Sequence, residues 1–306
     1  MVDNLTYFWF WLLANAQDLR NVAIAVALLS VPPFLGWRAW IAHRVDRRAA
    51  DQRAAERNAQ LSDRLAGVFA QLGSDQVAVR IAAVHILEQI ARDHPRQHGL
   101  IMQTLGAFIR ERAPAPAGRF VGNRYEPPEP AEVFVPPRTD VQAALAVLGR
   151  RERDHDRPID RPMLTSVNLS GYDLSSGDFT SANFRGSYLC GTAFAGARLA
   201  AATFDQANLE RADLFGTDCM GASFVGTAAA GARFAHARLD GSSLVDADLR
   251  GADFTRARLE GADLANANYE GALLDEATGL LGAPMLAHPA PLPSLAYHSS
   301  SSRSRA

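Results

Sequence analysis

The chain contains no lysine: all 31 of its basic side chains are arginine, set against 33 acidic ones, for a formal net charge of −2. That uniformity reads as coding bias and not as a selected anion site, and the near-balance forces no nucleic-acid partner. Cysteine is almost as scarce. Cys190 and Cys219 stand 29 residues apart without a CxxC or a paired histidine, which signals neither a disulfide framework nor a zinc site and fits a reducing compartment. Catalytic motifs are missing too. There is no Gly-rich phosphate loop between strand and helix, no GxSxG, no HExxH, and no clustered set of histidines and carboxylates. No catalytic, cofactor-binding or metal-binding residue is nominated, the chain does not read as an enzyme, and no small-molecule substrate is expected.

Charge is also absent from residues 21–37, NVAIAVALLSVPPFLGW. At about 1.5 Å per residue, roughly 20 helical residues cross a hydrocarbon core of about 30 Å, so residues 22–41 read as a single transmembrane helix embedded in lipid. Arg38 lies near its end, where it can reach headgroups, and Trp37 and Trp40 suit the interface. Membrane helices tolerate the kink that Pro32 and Pro33 imply. Residues 1–21 are an interfacial segment, because the aromatic stretch Leu5 to Ala16 is too short to span. No basic n-region or small-residue cleavage site makes this a secretory signal. Arg38, Arg44, Arg47, Arg48 and Arg53 follow the span, whereas Arg20 alone precedes it, with Asp3 and Asp18. The positive-inside rule then places the carboxyl-terminal bulk in the cytoplasm.

Residues 42–112 read as a juxtamembrane helix and a helical hairpin. The stretch 46–72 is rich in Ala, Arg, Glu and Gln, with its acids interleaved among the arginines, which predicts a solvated face. Next, Ser74 or Asp75 is positioned to cap a helix with Val77, Ile81, Val84, Leu87 and Ile90 on one side, and Pro95 ends it. A second helix turns Ile101, Leu105, Phe108 and Ile109 inward. His94 and His98 have metal-like spacing, but Pro95 between them breaks the helix that would bring them together. Seven prolines in residues 113–138 predict an extended linker. Residues 139–161 form a helix and connector, with Thr139 or Asp140 as cap and Val141, Leu145 and Leu148 inward.

The strongest signal is repetition. From Leu164 to Leu274 every fifth residue gives 23 positions, of which 21 are Leu, Phe or Tyr; only Cys219 and Ala229 differ. Two residues before each of these centres, from Ala182 to Ala272, all 19 positions are Ala, Ser or Thr. Five matches neither the helical nor the strand period, so a period held this long means a solenoid of stacked units sharing one core. Each unit sends one large and one small side chain inward.

The stretch GADLANANYEGALL, residues 261–274, resembles the pentapeptide-repeat family with its A(D/N)LxX consensus. The resemblance implies a mainly β fold, a right-handed quadrilateral parallel β-helix with four pentapeptides to a coil of 20 residues, here about six coils over residues 162–275. The span, QLGSDQVAVRIAAVHILEQIARDHP and TDVQAALAVLGRR resemble the amino-terminal region of a membrane-anchored bacterial group within that family. That resemblance implies a single-pass protein of the bacterial inner membrane with its rod in the cytoplasm. An open β-helix exposes unpaired edges, so residues 139–150 are expected to cap the first coil and residues 276–281, within DEATGLL, to cap the last as a short helix or turn. Residues 282–306, rich in Pro and Ser, are expected to be disordered.

Some pentapeptide-repeat proteins are DNA-shaped inhibitors of type II topoisomerases, which makes a DNA mimic, inhibiting or protecting such an enzyme, the alternative to a scaffold that binds a protein partner. Residues 164–274 carry 13 acids and 8 arginines, a net −5, weak for a mimic of a duplex. Stacking at 20 residues makes the row Asp178, Arg198, Asp218, Arg238 alternate in sign, with Asp240 near Arg238, and Asp213, Arg233, Asp253 do the same on another face. A third row, Asn168, Tyr188, Asn208, Ala228, Asp248 and Asn268, is mostly uncharged. Direct nucleic-acid binding is not expected. Cys190 should face outward as an inert surface thiol. Cys219 and Ala229 should sit on opposite sides of one coil, leaving room for neighbouring phenyl rings in a dry core without ligand.

Overall fold

The computed structural model describes residues 55–116, 136–156 and 160–279, short backbone stretches at 119–121 and 124–126, and a scatter of residues before 55. The chain divides into two units, residues 1–67 and 68–306. The first is described chiefly as helix, from residue 55 to 67. Apart from Trp40, residues 22–41 lie outside the described residues, as do residues 280–306. Among the described residues no helix is long and apolar enough to cross a membrane.

The second unit begins with a three-helix layer: α1 (Val77–Asp93), α2 (His98–Arg112) and α3 (Thr139–Gly149). Between α2 and α3, β1 (Arg119–Val121) pairs antiparallel with β2 (Arg124–Glu126), a short hairpin inside the Pro-rich stretch read as an extended linker. Val84, Leu87 and Ile90 of α1 meet Ile101, Leu105 and Ile109 of α2 and Val141, Leu145 and Leu148 of α3 in one buried core. The apolar stripe begins a turn later than the sequence suggests. Val77, the first residue of α1, is exposed, and Ile81 is only partly buried. Neither expected cap is used. The residue before α1 is Gln76, without a side-chain bond, and Ser74 Oγ instead accepts from the Gln76 N–H at 3.2 Å. Arg138 precedes α3, and Asp140 turns inward to Arg80.

From residue 163 to 278 the chain winds into coils of 20 residues. Parallel bridges join Met163 to Asn183, Asn168 to Tyr188, Asp173 to Ala193, Asp178 to Arg198, and so on up all four sides. Each side contributes a single bridging residue per coil in place of an extended strand. The centres and nearly all the small residues two places before them are buried, exposure rising only at the last coil. Within the core Phe184, Phe204 and Phe224 stack with centroids 5.0 Å apart, one coil per ring, while Phe194 meets Phe184 and Phe204 edge-on. That spacing matches the ~4.8 Å between hydrogen-bonded strands.

Backbone accounting explains the repeat. In the unit centred on Leu209, the Leu209 N–H bonds forward to Ala228 O and Arg211 N–H to Ala230 O, while Asn208 N–H bonds back to Ser187 O. Ala212 N–H closes a turn onto Leu209 O at 3.0 Å. Only Glu210 N–H is left over, and Asn208 Oδ1 accepts it at 3.0 Å. All 11 Asp and Asn residues at the position before a centre make this same bond, at 2.9 to 3.4 Å. The A(D/N)L pattern is thus one small inward residue, one acceptor for an orphan amide, and one large inward residue. At Ser223, where the acceptor is missing, Asp205 reaches from the coil before and accepts from Val225 N–H at 3.3 Å.

The corners have a matching rule. The residue two places after each of the 23 centres has a positive φ, from +53° to +73°, which is what a type II turn requires at its third position. Glycine fills 12 of these, and the others include Asp246 and Asn266.

Candidate interaction faces of the rod

The α1–α3 layer meets the first coil bond by bond. The N–H groups of Asn168, Asp173 and Asp178, which have no preceding coil to bond to, donate to Ala113 O at 2.7 Å, Gln142 Oε1 at 3.1 Å and Gly149 O at 2.6 Å. The carbonyls of Met163, Asp173 and Asp178 accept from Arg110, from Gln142 Nε2 and from Arg151. At the other end residues 275–278 extend the winding: a turn passes Asp275 and Glu276, and Thr278 bridges to Arg258.

The helical layer is held by buried charge that no sequence pattern announced. Arg80 and Asp140, 2% and 1% exposed, form an ion pair at 2.6 Å, and Arg80 also donates to Ser74 O. Burial pushes the Asp140 carboxyl up, but the hydrogen bond and charge of Arg80, with the charge of Arg138, hold it below its ordinary value. His98, buried at the start of α2, lies 2.9 Å from Asp156, whose other oxygen accepts from Arg151. His94 ends α1 exposed, so the two histidines do not converge. Among the described residues no group of His, Cys, Asp and Glu is arranged to hold a metal.

The charged rows pair along their length. Arg198 reaches Asp178 and Arg238 reaches Asp218, both at 3.6 Å, and Arg233 reaches Asp213 at 3.8 Å. Asp240 does not pair with Arg238; its partner is Arg258, one coil on, at 3.6 Å, and Arg238 lies against Met220. Arg233 also covers the ring of Phe215 at 4.4 Å, and His236 meets that ring edge-on. The uncharged row is less available than its composition suggests: Tyr188 and Asn208 occupy outward positions but are 1% and 2% exposed.

Neither thiol is primed for chemistry. Burial, with the Glu210 charge, pushes Cys190 up to about 11, and burial pushes Cys219, whose thiol donates to Thr217 Oγ1, up to about 12. Cys219 and Ala229 are both buried, with Phe224 and Phe234 edge to face at 5.8 Å beside them.

A family model described as pentapeptide repeats matches eight copies, over residues 178–216, 193–227, 217–256 and 252–278. No curated protein matches the chain. Among solved structures, the chain resembles a pentapeptide repeat protein from the cyanobacterium Cyanothece 51142 at 20% identity, over 38% of this chain and 88% of that one, with a TM-score of 0.25. A pentapeptide repeat protein from the Arabidopsis thaliana thylakoid lumen is 27% identical over 34% and 59%, with a TM-score of 0.22. QnrB1, described as a plasmid-mediated fluoroquinolone resistance protein, is 19% identical over 38% and 68%, with a TM-score of 0.28. At such scores these likenesses carry no argument of their own; the family match and the coil hydrogen bonds do. Residues 178–278 are pentapeptide repeats, and the rod they build is a β-helix solenoid.

Proposed function

We propose that the chain is a membrane-anchored, non-catalytic scaffold whose right-handed rod binds a protein partner at the cytoplasmic face of a bacterial inner membrane. The observation that carries the reading is the division of labour within each repeat. Inward positions fill the core, the Asp or Asn accepts an amide, and the corner closes a turn. The side chains left for function are evenly spaced along the four sides of the rod. Such a surface recognises another surface. Residues 22–41, uncharged up to Arg38 near their end, supply the proposed anchor, and residues 139–161 the proposed cap. Anchoring confines the rod to the membrane plane and raises its effective concentration for partners there.

Pairing of Arg198, Arg233 and Arg238 with acids one coil away interrupts the continuous negative strip that a DNA mimic needs, which favours the scaffold over the topoisomerase reading. Two experiments test the proposal. Labelling of the carboxyl terminus in intact spheroplasts should fail; modification from outside overturns the cytoplasmic placement. A supercoiling assay with the full chain in mild detergent should show no topoisomerase inhibition at micromolar protein, and inhibition would establish the alternative.

A further inference from the structure

Between residues 190 and 263 the three outward positions of each repeat hold a single phenyl ring, Phe215, and a single methionine, Met220. They stand at the two ends of one side of one coil, with Phe215 half-buried and Met220 exposed. An arginine from the following coil lies on each. Arg233 covers the Phe215 ring at 4.4 Å, and Arg238 donates to the Met220 sulfur. Arg198 stands on the same side one coil back, in the bridge row Arg198, Asp218, Arg238. Aromatic, methionine and arginine side chains are the ones enriched where proteins meet, and arginines already laid on apolar surface have less rotamer freedom to lose on binding.

The charge that projects furthest here is positive. The Arg198 side chain is 71% exposed against 13% for Asp178, Arg233 51% against 39% for Asp213, and Arg238 46% against 34% for Asp218. The three pairs lie at 3.6 to 3.8 Å, too long for hydrogen bonds, and none of these arginines donates to an oxygen among the described residues. Their acids are engaged elsewhere. Asp213 accepts from Phe215 N–H at 3.1 Å and Asp218 from Met220 N–H at 3.4 Å, while Asp178 accepts from Thr180 N–H at 3.1 Å and also faces Arg153. Outward guanidinium groups flanking two apolar side chains call for carboxylates flanking an apolar one. Arg198 and Arg238 are two coils apart, about 10 Å at ~4.8 Å per coil, the length of three residues of extended chain. Nucleic acid fits worse, because residues 164–274 carry a net −5 that repels a phosphate backbone.

We infer that this side of the rod docks an acidic segment of a partner protein, whose carboxylates take the guanidinium groups of Arg198, Arg233 and Arg238 and whose apolar side chain packs on Phe215 and Met220. The inference rests on the scaffold reading and adds to it the face used and the chemistry of the partner. Photocrosslinking of the full chain in cells tests it, with a photoreactive phenylalanine analogue placed in turn at Phe215, at Met220, and at Thr203 and Ala228 on the two other uncharged sides. Adducts should form at Phe215 and Met220, on one protein and within a peptide whose acids outnumber its bases. Arg198→Gln, Arg233→Gln and Arg238→Gln together should lower their yield by at least about tenfold, as loss of a binding hot spot does. Arg238→Gln alone, expected to lower it in the same direction, decides the matter if the triple variant does not fold. Strongest adducts at Thr203 or Ala228, a yield that the Gln changes do not move, or a crosslinked peptide without acids overturns the inference and leaves the scaffold standing. Adducts that a nuclease removes overturn it in favour of nucleic acid. No protein adduct from any of the four positions overturns the scaffold reading as well.

Discussion

If the Asp and Asn of the repeat are acceptors for an orphan amide, removing the charge of one should be nearly harmless while removing its oxygen should not. Asp253 offers the cleanest case. Its carboxylate accepts from Thr255 N–H at 2.9 Å, and it makes no ion pair among the described residues, although its row otherwise alternates in sign. Asp253→Asn keeps an oxygen in the same place and should change stability by less than about 0.5 kcal/mol, the usual range for a surface change. Asp253→Ala strands the half-buried amide of Thr255 and should cost about 1 kcal/mol, near the middle of the range for one hydrogen bond because water still reaches the corner. Urea unfolding of the full chain in detergent, monitored by circular dichroism, resolves the two as a shift in midpoint for Ala and none for Asn. Equal destabilisation by both would show that the charge matters and the acceptor does not, and the consensus Asp or Asn would then need a different explanation.

Further expectations come from the core, the corners and the helical layer. Ala229 is buried in a row between Leu209 and Leu249, so Ala229→Leu should destabilise by overpacking, by about 1 to 3 kcal/mol, seen as a lower melting temperature. Gly216 has φ +62° with nothing within 4 Å of a would-be Cβ, so Gly216→Ala isolates backbone strain and should cost about 1 kcal/mol; Ala201→Gly, at φ +54°, should be neutral or slightly stabilising. Arg80→Met removes the closer, buried partner of the Asp140 carboxylate, leaving Arg138 at 3.5 Å, and should cost about 3 kcal/mol by urea unfolding. The Asp140 carboxyl is held below its ordinary value of 3.8, so its contribution is complete above that pH and is lost as pH falls below it through the folded value. Acid titration of helicity should show that loss, and Asp140→Asn should flatten it.

Much of this architecture was legible in the sequence because the repeat constrains each residue locally. Leu, Phe and Tyr at every fifth position could only be a shared core, and the small residues two places earlier could only face inward beside them. The register runs unbroken through Cys219 and Ala229, and both lie in the core. The role of Asp and Asn was harder to read. Their spacing suggested sign-alternating ladders, and some pairs exist, but the hydrogen bond shared by all 11 is to a backbone amide, which composition does not reveal. Particular side-chain pairs between distant parts of the chain were not legible. Arg80 meets Asp140 across 60 residues, and Asp240 pairs with Arg258 while Arg238 packs against Met220. Tyr188 stands at an outward position and is nevertheless buried, which no five-residue rule foresees.

Site-specific photocrosslinking of the full, anchored chain in cells tests the central claim most directly. A photoreactive residue is placed in turn at the outward positions Arg198, Thr203, Asn208 and Asp213, one for each face of the rod. The account predicts one recurrent protein adduct, concentrated on one exposed face, absent at the buried Asn208 position and lost when residues 22–41 are removed. Adducts spread evenly over all positions, or none from any, would contradict a rod that acts by presenting a face to a partner at the membrane.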